Sequence, residues 1–285
     1  MVPPRAPSFV STRAPRAVAE PSRARLSRFR DTALGLSAAP APAIIGLVRA
    51  VVCLPTYNEL ENLERMLRAL GPVLAGDGRV LVVDDGSPDG TGELADRLAG
   101  ELDYVDVLHR ARKEGLGPAY IAGFRRALAD GAELILEMDC DFSHDPADVR
   151  RLIDAAVDAD VVLGSRYVEG GRVENWGALR RFVSAGGSLY ARTILGLPVR
   201  DLTGGFKCYR RAVLETIDLD AISAQGYTFQ IETTYRAIHA GFRVVEIPIT
   251  FVDREAGTSK MSKAIFAEAV WKVPALRAAR LLGRL

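Results

Sequence analysis

From Ile44 onward, short apolar runs alternate along the chain with segments of helical periodicity. The runs GLVRAVVCLPT, RVLVVDDG, YVDVLH, ELILEMD and ADVVLGSRY have the length and composition of strands. Between them, apolar residues recur at three- and four-residue spacing, as in LENLERMLRAL and DVRRLIDAAVD. This alternation predicts an α/β fold with a mostly parallel central sheet. Ligands of such sheets bind at the carboxyl ends of the strands.

The first 45 residues differ in composition from the rest of the 285-residue chain. They hold seven of the fifteen prolines, and seven arginines against two acids, which predicts a mostly disordered extension. A transit peptide and a misassigned start are the alternatives for this segment. The remainder carries a net negative charge, which excludes a general nucleic-acid binder. We divide the chain into this extension (1–45), an α/β domain (46–255), and a C-terminal loop with a basic helical segment (256–285).

Three cysteines, Cys53, Cys140 and Cys208, lie far apart in or beside apolar runs. Their odd number and wide spacing predict free thiols in a reducing compartment and fit neither a disulfide framework nor a CxxC zinc site. No stretch of about 18 to 20 uninterrupted apolar residues occurs, so we expect no membrane-spanning helix.

The C-terminal stretch MSKAIFAEAVWKVPALRAARLLGRL mixes large apolar side chains with basic ones. This pattern predicts amphipathic helices in a membrane interface, with a break near Pro274. Packing on the body or on a partner is the alternative. We therefore expect a peripheral protein at the cytoplasmic face of a membrane. Whether a separate membrane-anchoring protein is needed stays open.

Acidic and polar residues follow three of the predicted strands. The first strand ends in PTYNE, the second in DDGSPDGT, and the fourth in Asp139, Cys140 and Asp141. A single acid after a strand is usually a helix cap, and Asp89 or Thr91 fits that role. Acids at three strand ends of one sheet favour a ligand site instead. The Asp139–Asp141 pair suits Mg²⁺ or Mn²⁺, which take oxygen ligands and share them with substrate phosphates.

Together, these segments resemble the successive motifs of family 2 glycosyltransferases. The resemblance is carried, in order, by CLPTYNELENL, VLVVDDGSPDGTGELAD, EMDCDFSHDP, VLGSRYVEGG, DLTGGFKCYRRAVL, GYTFQIETTYRA and EIPITFVDREAGTSKMS, and it covers about residues 50–272. Within that family, the motifs are most similar to those of polyprenol-phosphate (dolichol-phosphate) mannose synthases. Seven motifs in unbroken order are far more specific than any one of them.

The resemblance implies a GT-A fold, a single Rossmann-like domain, that transfers mannose from GDP-mannose to a polyprenyl phosphate lipid with inversion at the sugar. It implies a guanine and ribose pocket formed by Pro55, Tyr57, Glu59, Val83 and Asp85. It places Asp139, Cys140 and Asp141 at the diphosphate, with Asp139 and Asp141 holding Mg²⁺ or Mn²⁺. It assigns Arg166, Arg254 and Lys260 to phosphate oxygens of the donor, and Asp141 and Arg254 are the expected catalytic residues.

The chemistry of such a transfer agrees with these residue types. The acceptor phosphate is already an anionic nucleophile, so catalysis needs in-line positioning and stabilisation of the departing diphosphate, and no general base. Arginine forks suit two phosphate-bearing substrates that repel each other. Three alternatives stay open: the same fold with another sugar, such as glucose from UDP-glucose; a nucleotidyltransferase; and an inactive lipid- or protein-binding scaffold.

Overall fold

The computed structural model describes residues 49–74, 76, 78–222, 224, 226–253 and 263–283. Its strands are β1 (Ala50–Thr56), β2 (Arg79–Asp84), β3 (Val105–His109), β4 (Leu134–Glu137), β5 (Val161–Ser165), β6 (Arg172–Val173), β7 (Lys207–Arg210), β8 (Val244–Pro248) and β9 (Thr250–Phe251). Its helices are α1 (Leu63–Leu70), α2 (Thr91–Glu101), α3 (Leu116–Ala129), α4 (Asp148–Ala155), α5 (Ala178–Leu195), α6 (Arg211–Thr216), α7 (Gly226–His239) and α8 (Lys263–Leu281).

The main sheet confirms the predicted, mostly parallel architecture. Within the described residues it has seven strands in the order β3-β2-β1-β4-β7-β5-β8. Strands β3, β2, β1 and β4 pair in parallel, as do β5 and β8. Strand β7 is antiparallel to both β4 and β5, so those two strands point the same way. The ends of β1, β2, β4 and β5 therefore share one edge of the sheet.

Both faces of this sheet are covered by helices, as its apolar strands require. In β1, Val51 and Cys53 face one core cluster, which includes residues of α3 and α7. Val52 and Leu54 face the other, which includes residues of α1, α2 and α4. Successive side chains of a strand point to opposite faces, so a strand covered on both faces is apolar throughout. All three cysteines are buried free thiols, as predicted.

The predicted break near Pro274 is wrong, because α8 continues through this residue. Proline has no N–H and leaves the carbonyl four residues earlier, that of Val270, without its helical donor. The hydroxyl of Tyr190 on α5 donates to that carbonyl oxygen at 2.9 Å. The lost hydrogen bond is thus replaced from outside the helix. None of the helices in the described part of the chain is long and apolar enough to cross a membrane.

Candidate active site

The loops after β1 and β2 are tied together at the shared edge. The amide of Asn58 donates to Ser87 Oγ at 3.1 Å, and that of Glu59 donates to Thr91 Oγ1 at 3.0 Å. Asp89 Oδ1 accepts from both the amide and the hydroxyl of Thr91 in a local turn. These bonds fix the relative position of the PTYNE and DDGSPDGT segments. The predicted cap by Asp89 or Thr91 is wrong, because the N-cap residue of α2 is Gly90 and α2 has no side-chain cap hydrogen bond.

Four of the predicted nucleoside-binding residues lie close together at these strand ends. Pro55 and Val83 are register partners on β1 and β2, and the amide of Asp85 donates to Thr56 O at 3.0 Å. Val83 is fully buried. The ring of Tyr57 is covered by the ammonium group of Lys113, 3.7 Å from the ring centroid.

Asp85 organises the loop that carries Lys113. Its carboxylate pairs with Arg110 and accepts the amides of Glu114 and Gly115, each at 3.2 Å from Oδ2. The residue is 4% exposed. The contact of Asp85 with a base or ribose stays a prediction, and the structure shows that its carboxylate holds the loop between Arg110 and Gly115. The role of Arg110, which contacts Asp85 across 25 residues of sequence, was missed.

The Asp139–Asp141 segment leaves β4 at the same edge. Asp141 is 4% exposed, and its Oδ1 accepts the amide of Ser143 at 3.1 Å. Asp139 is more exposed, and its Oδ1 accepts the hydroxyl of Tyr120 at 3.2 Å. Cys140 packs into the apolar core between them. Asp139 and Asp141 are therefore each held at this edge by a hydrogen bond, Asp139 by Tyr120 and Asp141 by the amide of Ser143.

The donor set of this segment fits a hard divalent cation. Two aspartates one residue apart supply carboxylate oxygens, and the buried Oγ of Ser143 beside them makes no hydrogen bond. No group of three or more His, Cys, Asp or Glu side chains that could hold a metal occurs in the described ranges. Mg²⁺ is typically bound through one or two carboxylates and completes its shell with water and substrate phosphates. Two carboxylates are enough for that mode of binding.

A buried polar network lies directly beneath this segment. Lys207 Nζ lies 3.3 Å from Glu137 Oε1, and both side chains are 0% exposed. Lys207 also donates to the side-chain oxygen of Gln230 at 2.6 Å, while Tyr209 donates to Glu137 at 3.0 Å. Burial raises the pKa of Glu137, and the Lys207 ammonium opposes that rise. The signal in the sequence was one charged residue inside each of two apolar runs, Glu137 in LILEM and Lys207 in GFKCY.

Arg166 follows β5 and forms a buried ion pair. Its guanidinium donates to both carboxylate oxygens of Asp201 at 2.7 Å, and to Thr203 Oγ1 at 2.9 Å. Burial opposes the charged form of Arg166, but the Asp201 carboxylate outweighs it and raises the pKa of the guanidinium. The rings of Trp176 and Phe251 lie within 5.8 and 5.4 Å of its central carbon. The contact of Arg166 with a phosphate oxygen, expected from the sequence, stays a prediction.

The last residues described before position 254, Val252 and Asp253, lie beside the Asp139–Asp141 segment. Arg254 and Lys260 themselves lie outside the described residues. Just before them, the amide of Val252 donates to Ser143 O at 3.2 Å. Asp253 pairs with Arg180 Nη1 at 2.7 Å, and the Arg180 guanidinium lies 4.2 Å from the centroid of Trp176. Residues 252 and 253 thus connect the Asp139–Asp141 loop with helix α5.

An apolar groove of about 560 Å³ lies between α5, α7 and α8. Its walls include Trp176, Phe182, Tyr190, Tyr227, Ile231 and Val270. Arg180 and Thr203 also line it, and Thr203 is a hydrogen-bond partner of Arg166. The groove is therefore lined by exposed apolar side chains on α5 and by Arg180, and it adjoins Arg166 through Thr203. No apolar groove at α5 was predicted from the sequence.

Comparison with known proteins gives consistent results. The model of the family "Glycosyl transferase family 2" matches residues 51–218. An undecaprenyl-phosphate mannosyltransferase of Micrococcus luteus is 50% identical over 226 residues, which cover 79% of this chain and 93% of the relative. A polyprenol monophosphomannose synthase of Mycolicibacterium smegmatis is 50% identical over 227 residues, with 79% and 85% covered. A dolichol-phosphate mannosyltransferase of Pyrococcus furiosus is 37% identical, with 77% and 61% covered.

Solved structures show the same fold at low sequence identity. Glucosyl-3-phosphoglycerate synthase from Mycobacterium tuberculosis, in complex with Mn²⁺, UDP and glucosyl-3-phosphoglycerate, aligns with a TM-score of 0.56 and 20% identity, covering 83% of this chain and 80% of that one. Its complex with Mg²⁺ and UDP aligns with a TM-score of 0.57 and 19% identity, with 83% and 79% covered.

Proposed function

The chain belongs to glycosyl transferase family 2 and has its GT-A fold, and from that premise we propose that it transfers mannose from GDP-mannose to a polyprenyl monophosphate with inversion at the sugar. The observation that carries the proposal is its 50% identity, over nearly the whole length of the relative, to an enzyme named as a mannosyltransferase of undecaprenyl phosphate. The architecture supports it, because a carboxylate-bearing strand edge and an apolar groove occur in one domain.

On the donor side, the strand edge supplies the groups that a nucleotide diphosphate requires. Asp139 and Asp141 would hold Mg²⁺ or Mn²⁺, which when bound would neutralise charge on the departing diphosphate. Pro55, Tyr57, Glu59, Val83 and Asp85 would surround the guanosine. The Lys113 ammonium above Tyr57 adds a cation close to this pocket. This cation would attract an anionic donor to the pocket, although the domain as a whole carries a net negative charge.

On the acceptor side, an apolar groove has a cationic residue, Arg180, in its lining. A polyprenyl phosphate has an anionic head and a long hydrocarbon tail, so it needs both features. The tail would lie between α5 and α8, and the head would meet Arg180 and Thr203, which line the groove. The phosphate oxygen attacks without a general base, so these residues serve to orient it and screen its charge.

The same face of the protein suits a membrane surface. Leu179 and Phe182 on α5 are 78% and 77% exposed, and Trp271 on α8 is 79% exposed. Large exposed apolar side chains near a groove for a lipid tail would be buried if this face of the protein rested on the membrane that contains the lipid. We place the enzyme peripherally at the cytoplasmic face of a membrane, with the groove opening toward the lipid. A separate anchoring protein is the alternative occupant of this face.

The test is direct. Purified full-length protein with GDP-mannose, Mn²⁺ or Mg²⁺ and polyprenyl phosphate should form a lipid that carries radiolabelled mannose and partitions into organic solvent. UDP-glucose serves as the control donor under the same conditions. Folded protein that forms no mannolipid refutes the proposal, and transfer from UDP-glucose alone replaces the donor while keeping the acceptor. Asp141→Asn should lose the activity while retaining the melting temperature within a few degrees, about 2–4 °C.

A further inference from the structure

Tyr120 is a fully buried residue in the second turn of α3 whose hydroxyl reaches the candidate metal site. Its side chain is 0% exposed, and its Oη donates to Asp139 Oδ1 at 3.2 Å. The two residues come from different elements, a helix and the loop after β4. A buried hydroxyl that donates to a carboxylate both satisfies its own polarity and fixes the orientation of its acceptor.

The ring of Tyr120 is held between two other aromatic rings. It stacks on Phe229 of α7 with centroids 5.9 Å apart and planes inclined by 6°, and on Phe124 of α3 at 5.8 Å and 28°. Because these neighbours are also fully buried, the ring has little room to change rotamer. The hydroxyl is therefore presented to Asp139 by a rigid support.

Close approach of α3 to its neighbours sets the reach of this tyrosine. A Cβ at Gly117 would lie 2.7 Å from Ala224 O and 3.2 Å from the Phe229 ring. A Cβ at Gly123 would lie 3.1 Å from Val83 Cγ2 and 3.3 Å from Cys53 Sγ. Glycine at both positions lets α3 pack directly on α7 and on the strands. The helix could not carry Tyr120 to this depth with larger residues there.

Tyr120 is the donor of this hydrogen bond, because an ionised carboxylate can only accept one. The hydroxyl therefore acts on Asp139 by fixing the position of its carboxylate oxygen.

We propose that Tyr120 is a positioning residue for the metal site, which orients the Asp139 carboxylate so that it can ligate the divalent cation together with Asp141. The inference rests on the proposed function, which supplies the cation. Hydrogen-bond partners of metal ligands typically contribute about 10- to 100-fold to metal affinity or activity. Loss of the hydroxyl should therefore be visible in metal binding itself, before any turnover takes place.

The experiment compares Mn²⁺ binding to full-length wild type and to Tyr120→Phe in the presence of GDP, with free Mn²⁺ followed by electron paramagnetic resonance. The variant keeps the stacked ring and deletes only the hydroxyl. Its dissociation constant for Mn²⁺ should rise by about tenfold or more. In steady state, the Mn²⁺ concentration for half-maximal rate should rise by a similar factor, whereas KM for the polyprenyl phosphate should stay within about twofold of the wild type.

Tyr209→Phe is the matched control. Tyr209 is equally buried, packs edge-on against Phe124 at 5.7 Å, and donates its hydroxyl to Glu137 rather than to Asp139. It should lose stability as Tyr120→Phe does, yet bind Mn²⁺ as the wild type does. Equal Mn²⁺ affinity of Tyr120→Phe and wild type, or an equal loss in both tyrosine variants, overturns the inference alone. A wild type that binds no Mn²⁺ with GDP present overturns the metal assignment and the inference together.

Discussion

The Lys207→Met substitution deletes one charge of a buried ion pair while nearly preserving side-chain length. Lys207 Nζ and Glu137 Oε1 are 3.3 Å apart, and both side chains are 0% exposed. At this separation the Coulomb energy is roughly 5 kcal/mol for an effective dielectric constant of about 20. Breaking a buried pair from one side costs about 3–5 kcal/mol, because the remaining charge is left uncompensated. We expect the free energy of unfolding to fall by that amount, about 3–5 kcal/mol, at neutral pH.

The size of this loss should depend on pH. Burial raises the pKa of Glu137, and Lys207 is the largest influence that lowers it, so the substitution raises the pKa further. A carboxyl group whose folded pKa exceeds its unfolded pKa contributes stability below the unfolded value and loses it as the pH rises through the folded value. The variant should therefore come closest to the wild type in acid and fall furthest behind above the folded pKa of Glu137.

Urea unfolding followed by circular dichroism, at about pH 5 and about pH 8, measures both effects. The matched control is Lys272→Met, which breaks a partly exposed pair with Glu268 at 3.1 Å and should cost less than about 1 kcal/mol. The double variant Glu137→Gln/Lys207→Met removes both charges and should recover most of the loss. A Lys207→Met loss no larger than that of the control, or a double variant no more stable than the single one, would refute the reasoning.

Three further predictions concern other parts of the chain. Tyr190→Phe should lower the free energy of unfolding by about 1 kcal/mol in denaturation, and by less in a Pro274→Ala background, where the helix supplies its own donor to Val270 O. His109 should titrate by NMR above its usual pKa, because it hydrogen-bonds Asp96 at 2.8 Å, and Asp96→Asn should lower that pKa; an unchanged value would contradict the assignment. Trp271→Glu should weaken the affinity for anionic lipid vesicles, measured by cosedimentation, by roughly tenfold or more. The free energy of unfolding should not change, since this residue is 79% exposed.

The sequence was sufficient to predict the layers of the fold and the strand edge that carries the site. Apolar runs such as VVCLP and LVVDD indicate strands that are buried on both faces of a sheet. Such a pattern can be recognised from neighbouring residues alone. The acids at the ends of β1, β2 and β4 share an edge simply because these strands are parallel. The family assignment was confirmed for the same reason, since its motifs are short segments whose order is visible without a structure.

What could not be predicted depends on contacts between distant residues. The antiparallel direction of β7 follows from pairing with β4 and β5, which no local pattern records. The pairing of Arg166 with Asp201 spans 35 residues, and the donor that keeps α8 continuous at Pro274 lies 80 residues from Val270. Local propensity correctly identifies proline as a helix breaker, but a hydroxyl from another helix can replace the missing donor.

Helix α7 places the proposed lipid groove and the proposed metal site on two sides of the same element. Tyr227 and Ile231, four residues apart and thus on one helical face, line the groove. Phe229 stacks on Tyr120 beneath Asp139, and Gln230 donates to Glu137 at 3.2 Å while it accepts from Lys207. A displacement of α7 by a lipid tail would therefore strain both the aromatic stack and the buried ion pair. Those two interactions fix α7, which under the proposed function would keep the head of the acceptor and the sugar donor at a constant distance.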